Sequence, residues 1–392
     1  MRISCLQENL AKGLSIAGRV TSSRVTMPVL ENILIAVDNG RIRLVCTNLD
    51  VSINVWINGT VEEEGALTVP VRLLTEFVNL LPSGKPVHLT YLAQSRQLEV
   101  SCGQFRTAFN TIEANQFPDV QDSIHEMEAT LNLDTHELRT MIEETAFAAA
   151  TGEDRPNLAC VQVELADAGL TLAATDGFRL AVRRTTLEQA QRDQKILVPA
   201  RALSELSRIL ADADSSKPVD VAVTNNHSQI LANLHGLSHE RGSFVEVLLI
   251  CQLVDAHFPD YNRIIPQEGA TSVIVDRNNL LQATRASFLL TRENNNIVTA
   301  KFNTEEDCIE ISSESNDRGD SRNKLEARIS GEGLDISFNG QYLIDALTHI
   351  QTEFVVMDMT QNNRPAKLCP SASEDSKGRD FLQVIMPMTS AR

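Results

Sequence analysis

The feature that most constrains this chain is a strand–proline–helix pattern that occurs twice at long spacing. Residues 66–84 read ALTVPVRLLTEFVNLLPSG, and residues 196–213 read ILVPARALSELSRILADA. In each copy a proline stands where the helix is predicted to begin, because its fixed φ suits a first helical turn and its missing N–H is not needed there. A looser copy at residues 334–350, LDISFNGQYLIDALTHI, has Asn-Gly in place of Val-Pro. Copies at such spacing predict three related domains.

The closing segments of the first two repeats indicate where the domains end. Residues 117–120 read FPDV, and residues 258–261 read FPDY. We therefore predict domains at residues 1–125, 126–268 and 269–392, each with two modules of a strand, a helix and further strands. Strands outnumber helices and hairpins join many of them, so the predicted fold class is α+β with antiparallel sheets.

Composition argues against several classes of protein. The 392 residues carry a net charge of −17, which taken alone argues against general nucleic-acid binding, since phosphate contacts need Lys and Arg. No apolar run reaches the length of a membrane span, and the N-terminal residues lack the apolar core of a signal peptide. The seven cysteines are scattered singly, without a CxxC pair. This pattern predicts reduced thiols in a cytoplasmic protein rather than a disulfide or zinc framework.

Motifs for catalysis or metal binding are not found in the sequence. It has no GxxxxGK[ST] phosphate loop, no HExxH and no GxSxG. His235 and His239 are four residues apart but lack an evident third ligand, and acidic runs such as residues 62–64 are typical of solvated turns. We therefore expect a protein that is not an enzyme, with no catalytic residue, no metal and no cofactor.

The most distinctive short stretch is residues 173–181, AATDGFRLA. Its plain interpretation is a strand pair with a tight Asp-Gly turn. The alternative is that Phe178 and Arg179, together with Thr175, form the rim of an apolar pocket. Residues 384–388, VIMPM, offer a match for such a pocket, because Met side chains adapt to several partners. Ordinary core packing would also explain those methionines.

Together these stretches resemble one family along essentially the whole chain, in the same order. The resemblance is carried by RVTMPVLENILI at residues 24–35, the LTVP helix, FPDV, ATDGFRLA, the LVPAR helix, FPDY and the terminal VIMPM. This combination is similar to the bacterial replicative sliding clamp, the beta subunit of DNA polymerase III. The pairing of ATDG-x-RLA with a terminal MPM is highly specific to that family.

The resemblance implies a fold, an assembly and a set of partners. Three domains of the DNA clamp fold would make each subunit, with helices lining a central hole and antiparallel sheets outside. A head-to-tail homodimer ring would encircle double-stranded DNA without reading its sequence, as a nucleoid-associated protein of the cytoplasm. The replicative DNA polymerase, the clamp loader and repair proteins would bind the ring through short linear peptides, which gives the polymerase its processivity.

Two other functions stay open at this point. One is an adaptor of the same fold that binds peptides but does not encircle DNA. The other is an enzyme that uses the turn at Asp176 as its site, for which the sequence offers no convincing acid, base or metal partner.

The charge pattern suggests which residues would contact DNA. Basic residues on or beside the predicted lining helices are Lys12, Arg19, Arg72, Arg139, Arg201, Arg208, Arg277 and Arg285, and Arg24 follows the first helix at a position that the resemblance associates with DNA. A positive hole inside an acidic shell would hold phosphates loosely, as a sliding ring requires. The alternative is ordinary exposed helix charge, because Glu8, Glu76 and Glu205 share the same helices.

The resemblance also implies a peptide-binding groove. Its expected residues are Leu158, Thr175, Gly177, Phe178, Arg179, Leu180, Pro259, Arg263, Ile264, Arg364, Pro365, Val384, Met386, Pro387 and Met388. Phe178 stands where many members of the family carry His or Tyr, which would change the preferred peptide.

Contact between subunits is expected between the end of the first domain and the start of the third. The candidates are Arg106 and Phe109 on a late strand, with Phe288 and Leu289 after a helix. Packing inside the chain is the alternative for all four. Two segments depart from the family pattern: residues 234–247 lengthen a hairpin, and residues 389–392 extend the chain beyond MPM.

Overall fold

The structure is a computed structural model, and it describes residues 1–21, 27–38, 40–123, 130–152, 154–188, 193–224, 226–236, 244–266, 269–291, 296–315, 319–372 and 380–388. Arg24, His239, residues 237–243 of the long hairpin and the tail at 389–392 therefore lie outside the described residues. The chain divides into two compact units. The first unit is Met1–Arg139 with Ala202–Leu253, and the second is Thr140–Arg201 with Val254–Arg392.

Six α-helices lie in the described residues. They are α1 (Gln7–Ala17), α2 (Val71–Leu80), α3 (Thr135–Thr145), α4 (Ala200–Leu210), α5 (Arg277–Thr291) and α6 (Gly340–Thr348). None of these helices is long and apolar enough to cross a membrane.

The strands are short and numerous. They are β1 (Arg2–Leu6), β2 (Asn32–Asp38), β3 (Arg41–Thr47), β4 (Val51–Ile57), β5 (Thr60–Glu63), β6 (Gly65–Pro70), β7 (Pro86–Leu92), β8 (Gln97–Cys102), β9 (Phe105–Asn110), β10 (Ile112–Glu113), β11 (Thr130–Leu133), β12 (Cys160–Ala166), β13 (Gly169–Thr175), β14 (Arg179–Thr186), β15 (Gln194–Pro199), β16 (Val219–Val223), β17 (Gln229–His235), β18 (Glu246–Gln252), β19 (Thr271–Asp276), β20 (Ile297–Asn303), β21 (Cys308–Ser315), β22 (Gly319–Gly331), β23 (Leu334–Asn339), β24 (Phe354–Met359), β25 (Ala366–Ser371) and β26 (Phe381–Ile385).

The strand–helix copies are confirmed, but each proline-bearing helix starts one residue later than predicted. β6, β15 and β23 run directly into α2, α4 and α6. Pro70 is the last residue of β6 and the N-cap of α2, so the first helical residue is Val71. Pro199 likewise ends β15. The delay arises because each proline still holds a place in the sheet, Pro70 opposite Asn32 and Pro199 opposite Cys160.

The described strands pair antiparallel throughout, as predicted. The first unit holds a five-stranded sheet in the order β5-β1-β7-β8-β9 and a nine-stranded sheet in the order β10-β6-β2-β3-β4-β18-β17-β16-β11. The second unit holds a twelve-stranded sheet in the order β15-β12-β13-β14-β26-β25-β24-β19-β22-β21-β20-β23.

The three repeats share one pairing register. The residue before each second helix lies opposite the start of an early strand: Pro70 opposite Asn32, Pro199 opposite Cys160, and Asn339 opposite Ile297. Three copies of one architecture in a single chain confirm the predicted repeats and the α+β class with antiparallel sheets.

Strands from different repeats join within one sheet. In the first unit β4 of the first repeat pairs with β18 of the second, with Ser52 opposite Ile250. In the second unit β14 of the second repeat pairs with β26 of the third, with Leu180 opposite Val384. We call these two ladders the first junction and the second junction. Each gives a continuous sheet across two repeats.

The two FPD segments each pack against a junction. Val120 packs against a buried cluster that includes Trp56, Leu248 and Ile250 at the first junction. Phe258 and Tyr261 belong to a buried cluster at the second junction, with Cys160, Ala173, Leu180, Val182, Leu197 and Val384. The repeated motif therefore has a structural cause, since it covers apolar residues of the sheet where two repeats meet.

Candidate functional site

The turn between β13 and β14 is held by its own side chains. The Thr175 hydroxyl donates to the Arg179 carbonyl at 2.6 Å, and the Gly177 N–H donates back to the Thr175 Oγ1 at 3.0 Å. Asp176 Oδ1 accepts the N–H groups of Phe178 at 2.9 Å and Arg179 at 3.0 Å. Gly177 has φ +93°, where a side chain would be strained. This turn leaves the Phe178 side chain 54% exposed.

Beside this turn lies an apolar cavity of about 220 Å³. Its lining residues are Leu158, Thr175, Gly177, Phe178, Arg179, Leu180, Pro259, Asp260, Tyr261, Ile264, Val384 and Met386. Phe178 and Ile264 are large apolar residues that remain 54% and 41% exposed, whereas Leu180 and Val384 are buried. We call this cavity the groove.

The second junction and the FPDY segment position the groove. The Met386 N–H donates to the Phe178 carbonyl at 2.8 Å, which carries the ladder of the second junction past the end of β26. Tyr261 packs edge-on against Phe258, with ring centroids 6.3 Å apart. Burial raises the pKa of the Tyr261 phenol, and the nearby Glu164 raises it further, so this side chain is neutral at ordinary pH. The Tyr261 side chain therefore adds an uncharged aromatic surface to the groove, beside the charged lining residues Arg179 and Asp260.

The structure brings together most of the groove residues expected from the sequence and separates the rest. Arg263, Arg364, Pro365, Pro387 and Met388 are not among the lining residues. The Arg263 side chain is 86% exposed and pairs with Asp260 at 2.9 Å. The Arg364 N–H donates to the Gln361 carbonyl within a turn, at 3.1 Å, and the Met388 N–H donates to the Ser337 carbonyl of β23, at 2.8 Å.

Two lining residues were missed from the sequence. Asp260 and Tyr261 line the groove although neither was expected there. Both belong to the FPDY motif, whose Pro259 was expected, so the signal was present in the repeat. The comparison of FPDV with FPDY marks Tyr261 as the residue that differs between the two closing segments.

Arg179 occupies its expected place, but its guanidinium is engaged within the chain. Nε donates to Asp176 Oδ2 at 3.0 Å, Nη1 to Asp345 Oδ2 at 2.5 Å, and Nη2 to the Phe147 carbonyl at 2.9 Å. The guanidinium also lies over the rings of Phe147 and Tyr342, at 5.5 and 4.6 Å from their centroids. With the side chain only 12% exposed, its charge is neutralised internally.

The basic residues expected to contact DNA fall into two groups. Arg72, Arg201, Arg208 and Arg285 are exposed on their helices. Lys12, Arg19, Arg139 and Arg277 are partly buried. Lys12 pairs with Asp212 at 2.7 Å, and Arg19 lies 3.7 Å from Glu205. Arg277 donates to the carbonyls of Thr352 at 3.1 Å and Leu347 at 3.4 Å. Lys12, Arg19 and Arg277 are therefore engaged within the chain before any DNA is bound.

The residues expected at a subunit contact also divide. Phe109 is 9% exposed and packs edge-on against Phe77 at 5.7 Å, and Phe288 is 7% exposed, so both belong to the core of the chain. Arg106 has a side chain 71% exposed, and Leu289 is 65% exposed. Only the last two are available to a second copy without rearrangement.

The described residues contain no cluster of three or more His, Cys, Asp or Glu side chains that could hold a metal. His235 lies 4.0 Å from Asp220, and its expected neighbour His239 is outside the described part of the chain. The seven cysteines, all within the described residues, are buried and form no disulfide.

Three family models match successive parts of the chain. They describe the N-terminal domain of the DNA polymerase III beta subunit at residues 1–121, its central domain at 132–260 and its C-terminal domain at 262–389. The Beta sliding clamp of Synechococcus elongatus is 30% identical over 378 residues, which cover 94% of this chain and 96% of the relative.

Solved structures agree with the sequence comparison. The DNA polymerase sliding clamp of Bacillus subtilis superposes with a TM-score of 0.87 at 28% identity, covering 100% of both chains. A sliding clamp of Pseudomonas aeruginosa bound to griselimycin superposes with a TM-score of 0.86 at 27% identity, covering 99% of both chains.

Three clamp domains in one chain, with structural neighbours of full length, define the class of protein as a DNA polymerase sliding clamp. The chain belongs to the DNA polymerase III beta subunit family of bacteria. The predicted family, fold and role in DNA replication are confirmed.

Proposed function

We propose that the chain works as a head-to-tail homodimer ring that encircles duplex DNA and tethers the replicative polymerase without catalysing a reaction. The observation that carries this proposal is a pair of strand edges that have no partner among the described strands, where a third junction would form. β9 is the last strand of its five-stranded sheet. Residues 319–326 of β22 pair with β21, whereas β19 covers only residues 327–331. Open strand edges favour pairing with another chain.

The two junctions within the chain provide the register for a third. Ser52 and Leu180 occupy matching places, because each faces a threonine, Thr47 or Thr175, across the hairpin that enters the junction strand. Counting along the ladders from Ile297 places Asp320 of β22 at the same position in the third repeat.

The opposite strand is matched in the same way. The Gln252 N–H donates to the Asp50 carbonyl at 2.8 Å, as the Met386 N–H donates to the Phe178 carbonyl at 2.8 Å. Asn110 ends β9 as Gln252 ends β18, since each faces the first residue of the preceding strand. Ala108, two residues earlier, therefore matches Ile250 and Val384.

The inferred pairing places Asp320 of one copy opposite Ala108 of a second copy, and Ser321 opposite Thr107. The surfaces beside these edges support it. Leu73 and Leu80 on α2, 55% and 78% exposed, accompany Phe105 on β9, which is 50% exposed. Leu289, 65% exposed, lies on α5 in the third repeat. Exposed apolar side chains of this size are typical of a surface that another subunit covers.

A disulfide tests the register directly. Thr107 and Ser321 would form a non-hydrogen-bonded antiparallel pair, whose Cα atoms are about 4.5 Å apart, within the range that a disulfide needs. Oxidation of the double variant Thr107→Cys/Ser321→Cys is expected to give a covalent dimer on a non-reducing gel. Each single variant is the control, and the native cysteines are buried and do not compete. A double variant that is dimeric by light scattering yet remains unlinked would contradict the register.

The groove is proposed to take short linear peptides from the polymerase, the clamp loader and repair proteins. Support comes from its apolar lining with a few polar groups, which is a common architecture for peptide anchors. A related clamp from Pseudomonas aeruginosa has been solved with griselimycin. Overlapping fluorescent peptides tiled across the cognate polymerase would identify the bound segment by anisotropy. Griselimycin is expected to compete with the bound peptide, and a failure of all peptides to bind would refute the assignment.

A binding role without catalysis and a cytoplasmic location at replicating DNA complete the proposal. Buried cysteines without disulfides are the usual state in a reducing compartment. The exposed arginines Arg72, Arg201, Arg208 and Arg285 are the proposed DNA contacts, and a ring held by topology needs no stronger ones. If the protein were an adaptor that binds peptides without encircling DNA, closing the ring would not change how much protein stays on DNA. A ring that encircles DNA stays on it only when the ring is closed.

A further inference from the structure

Arg179 connects two repeats directly beneath the groove. It begins β14 in the second repeat, and its Nη1 donates at 2.5 Å to Asp345, which lies on α6 of the third repeat, 166 residues away in the sequence. Asp345 does not line the groove. Its other carboxylate oxygen accepts a hydrogen bond from Gln341 at 2.7 Å. Asp345 is therefore fixed on its own helix while it holds the arginine.

The same arginine is fixed to the turn that carries Phe178. Its Nε bonds Asp176 Oδ2, and Asp176 Oδ1 accepts the N–H groups of Phe178 and Arg179. Tyr342 of α6 adds a second connection. Burial raises the pKa of its phenol, and the charge of Asp176 together with a hydrogen bond to it raises the pKa further. The turn is thus joined to α6 through both Arg179 and Tyr342.

Among the described residues, the first junction has no such connection between turn and helix, although its helix α4 carries a carboxylate at the matching position. Glu205 stands six residues after Pro199, as Asp345 stands six residues after Asn339. Glu205 pairs with Arg19 and Arg208 instead. The residue of the first turn that matches Arg179 is Val51, which has no charge to offer. The connection between turn and helix is therefore particular to the junction that has the groove beside it.

We propose that Asp345 is a positioning residue for the groove: from α6 it holds Arg179, and through Arg179 and Asp176 it fixes the turn that places Phe178 at the rim. The proposal rests on the groove being the peptide site. Asp345 makes no contact with the bound peptide. It reduces the freedom that Phe178 must lose when a peptide binds, and such preorganisation increases affinity without adding a contact. The assignment also makes Arg179 a supporting residue whose charge is directed away from the peptide.

The test measures the environment of the Phe178 ring and the affinity of the groove for a peptide in two independent experiments. 4-Fluorophenylalanine is placed at residue 178, and its ¹⁹F resonance is recorded without peptide in wild type, Asp345→Asn, Asp345→Glu and the control Asp335→Asn. Asp335 is an exposed carboxylate of the same repeat, outside the groove lining. We expect Asp345→Asn to broaden or shift the resonance, Asp345→Glu to restore it in part, and Asp335→Asn to leave it unchanged.

The second part of the test measures the affinity of each variant for the polymerase peptide that binds wild type most tightly. Asp345→Asn is expected to raise its Kd by about three- to tenfold, mainly through faster dissociation, with Asp335→Asn unchanged. An unchanged ¹⁹F resonance overturns the proposal whether or not any peptide binds. A shifted resonance with unchanged Kd also overturns it, because the position of Phe178 would then not matter to binding. If no peptide binds wild type, the peptide assignment fails and the fluorine arm alone decides whether Asp345 positions the turn.

Discussion

The first and second junctions contain the same turn with the same hydrogen bonds. The hydroxyls of Thr47 and Thr175 donate to the carbonyl four residues ahead, at 3.2 and 2.6 Å. Asn48 and Asp176 each accept N–H groups from the residues two and three further on, at distances between 2.8 and 3.1 Å. A shared main chain therefore does not distinguish a binding site from an ordinary part of the sheet.

The difference lies in the side chains that this main chain presents. Where the second junction places Phe178 opposite Met386, the first places Asp50 opposite Gln252. Phe178 and Met386 offer apolar surface beside a cavity, whereas Asp50 and Gln252 are polar side chains that are usually solvated. Two substitutions at matching positions account for much of the difference between the junctions.

The first junction also has its apolar space filled. Trp56, the only tryptophan of the chain, is 5% exposed within the cluster that Val120 covers. Arg41 lies over its ring at 5.0 Å and pairs with Glu246 at 2.7 Å. A large buried aromatic with a charged cover gives stability, and a cavity with an exposed aromatic at its rim gives binding.

The largest expected effect is the loss of that buried indole. Trp56→Ala is expected to lower the free energy of unfolding by about 3–5 kcal/mol, because it removes a large side chain from a packed cluster. Urea denaturation measures the loss. The matched control is Phe178→Ala at the second junction, which is expected to change stability by less than about 0.5 kcal/mol, since its ring is exposed. Equal losses in the two variants would break the comparison.

A second prediction converts one junction into the other. The double variant Phe178→Asp/Met386→Gln is expected to weaken the polymerase peptide by about a hundredfold, or about 2.7 kcal/mol, while leaving the melting temperature nearly unchanged. Fluorescence anisotropy gives the affinity. The control Asp50→Ala/Gln252→Ala alters the matching pair at the first junction and should not affect the peptide. A double variant that retains wild-type affinity would show that the groove is not the peptide site.

Substitutions at the third residue of the two turns are expected to change the stability of the chain in opposite directions. Leu49 has φ +78° and Gly177 has φ +93°, a conformation that favours glycine. Leu49→Gly should therefore stabilise the chain, by about 0.5–1 kcal/mol, and Gly177→Ala should destabilise it by about 1 kcal/mol. Thermal unfolding of both variants checks the signs. If both changes destabilise, the shared turn does not explain the two backbones.

The smallest effect is expected from replacing one of the arginines proposed to contact DNA. Arg201→Ser removes an exposed charge and should reduce the slope of log K against log salt for DNA by about 1. Arg277→Ser is the control, because its guanidinium is held by the carbonyls of Thr352 and Leu347. It should cost about 1 kcal/mol of stability and leave the slope unchanged. Salt titrations of DNA binding that reverse this order would contradict the division between exposed and engaged residues.

Local patterns were sufficient to predict the repeats, whereas the expected groove residues came from the resemblance to the clamp family. The strand–proline–helix copies and the two FPD segments depend on neighbours in the sequence, so the periodicity of the chain indicates them. The Asp-Gly turn at residues 176–177 was likewise visible, because only a few residue types accept such a backbone.

What the sequence could not indicate depends on contacts between distant residues. Nothing near Arg179 in the sequence points to Asp345, so a residue expected to meet a peptide proved to hold two repeats together. Phe109 and Phe288 were expected at a subunit contact, but both are buried within the chain, and Phe109 packs against Phe77 of α2. Phe288 and Leu289 were expected after a helix, but they lie on α5, which continues to Thr291. The sequence does not show whether a basic side chain is exposed or engaged in an ion pair. Lys12, which pairs with Asp212, and the exposed Arg72 were therefore both expected to contact DNA.

The central claim is a closed ring on DNA, and one measurement tests it most directly. The Thr107→Cys/Ser321→Cys variant is loaded onto nicked circular DNA by its cognate loader and ATP, oxidised, washed in high salt, and the DNA is then linearised. The account predicts retention on the circle and release from the free ends after linearisation. Protein that stays bound to linear DNA, or that is never retained on the circle while a control clamp is, would contradict the account.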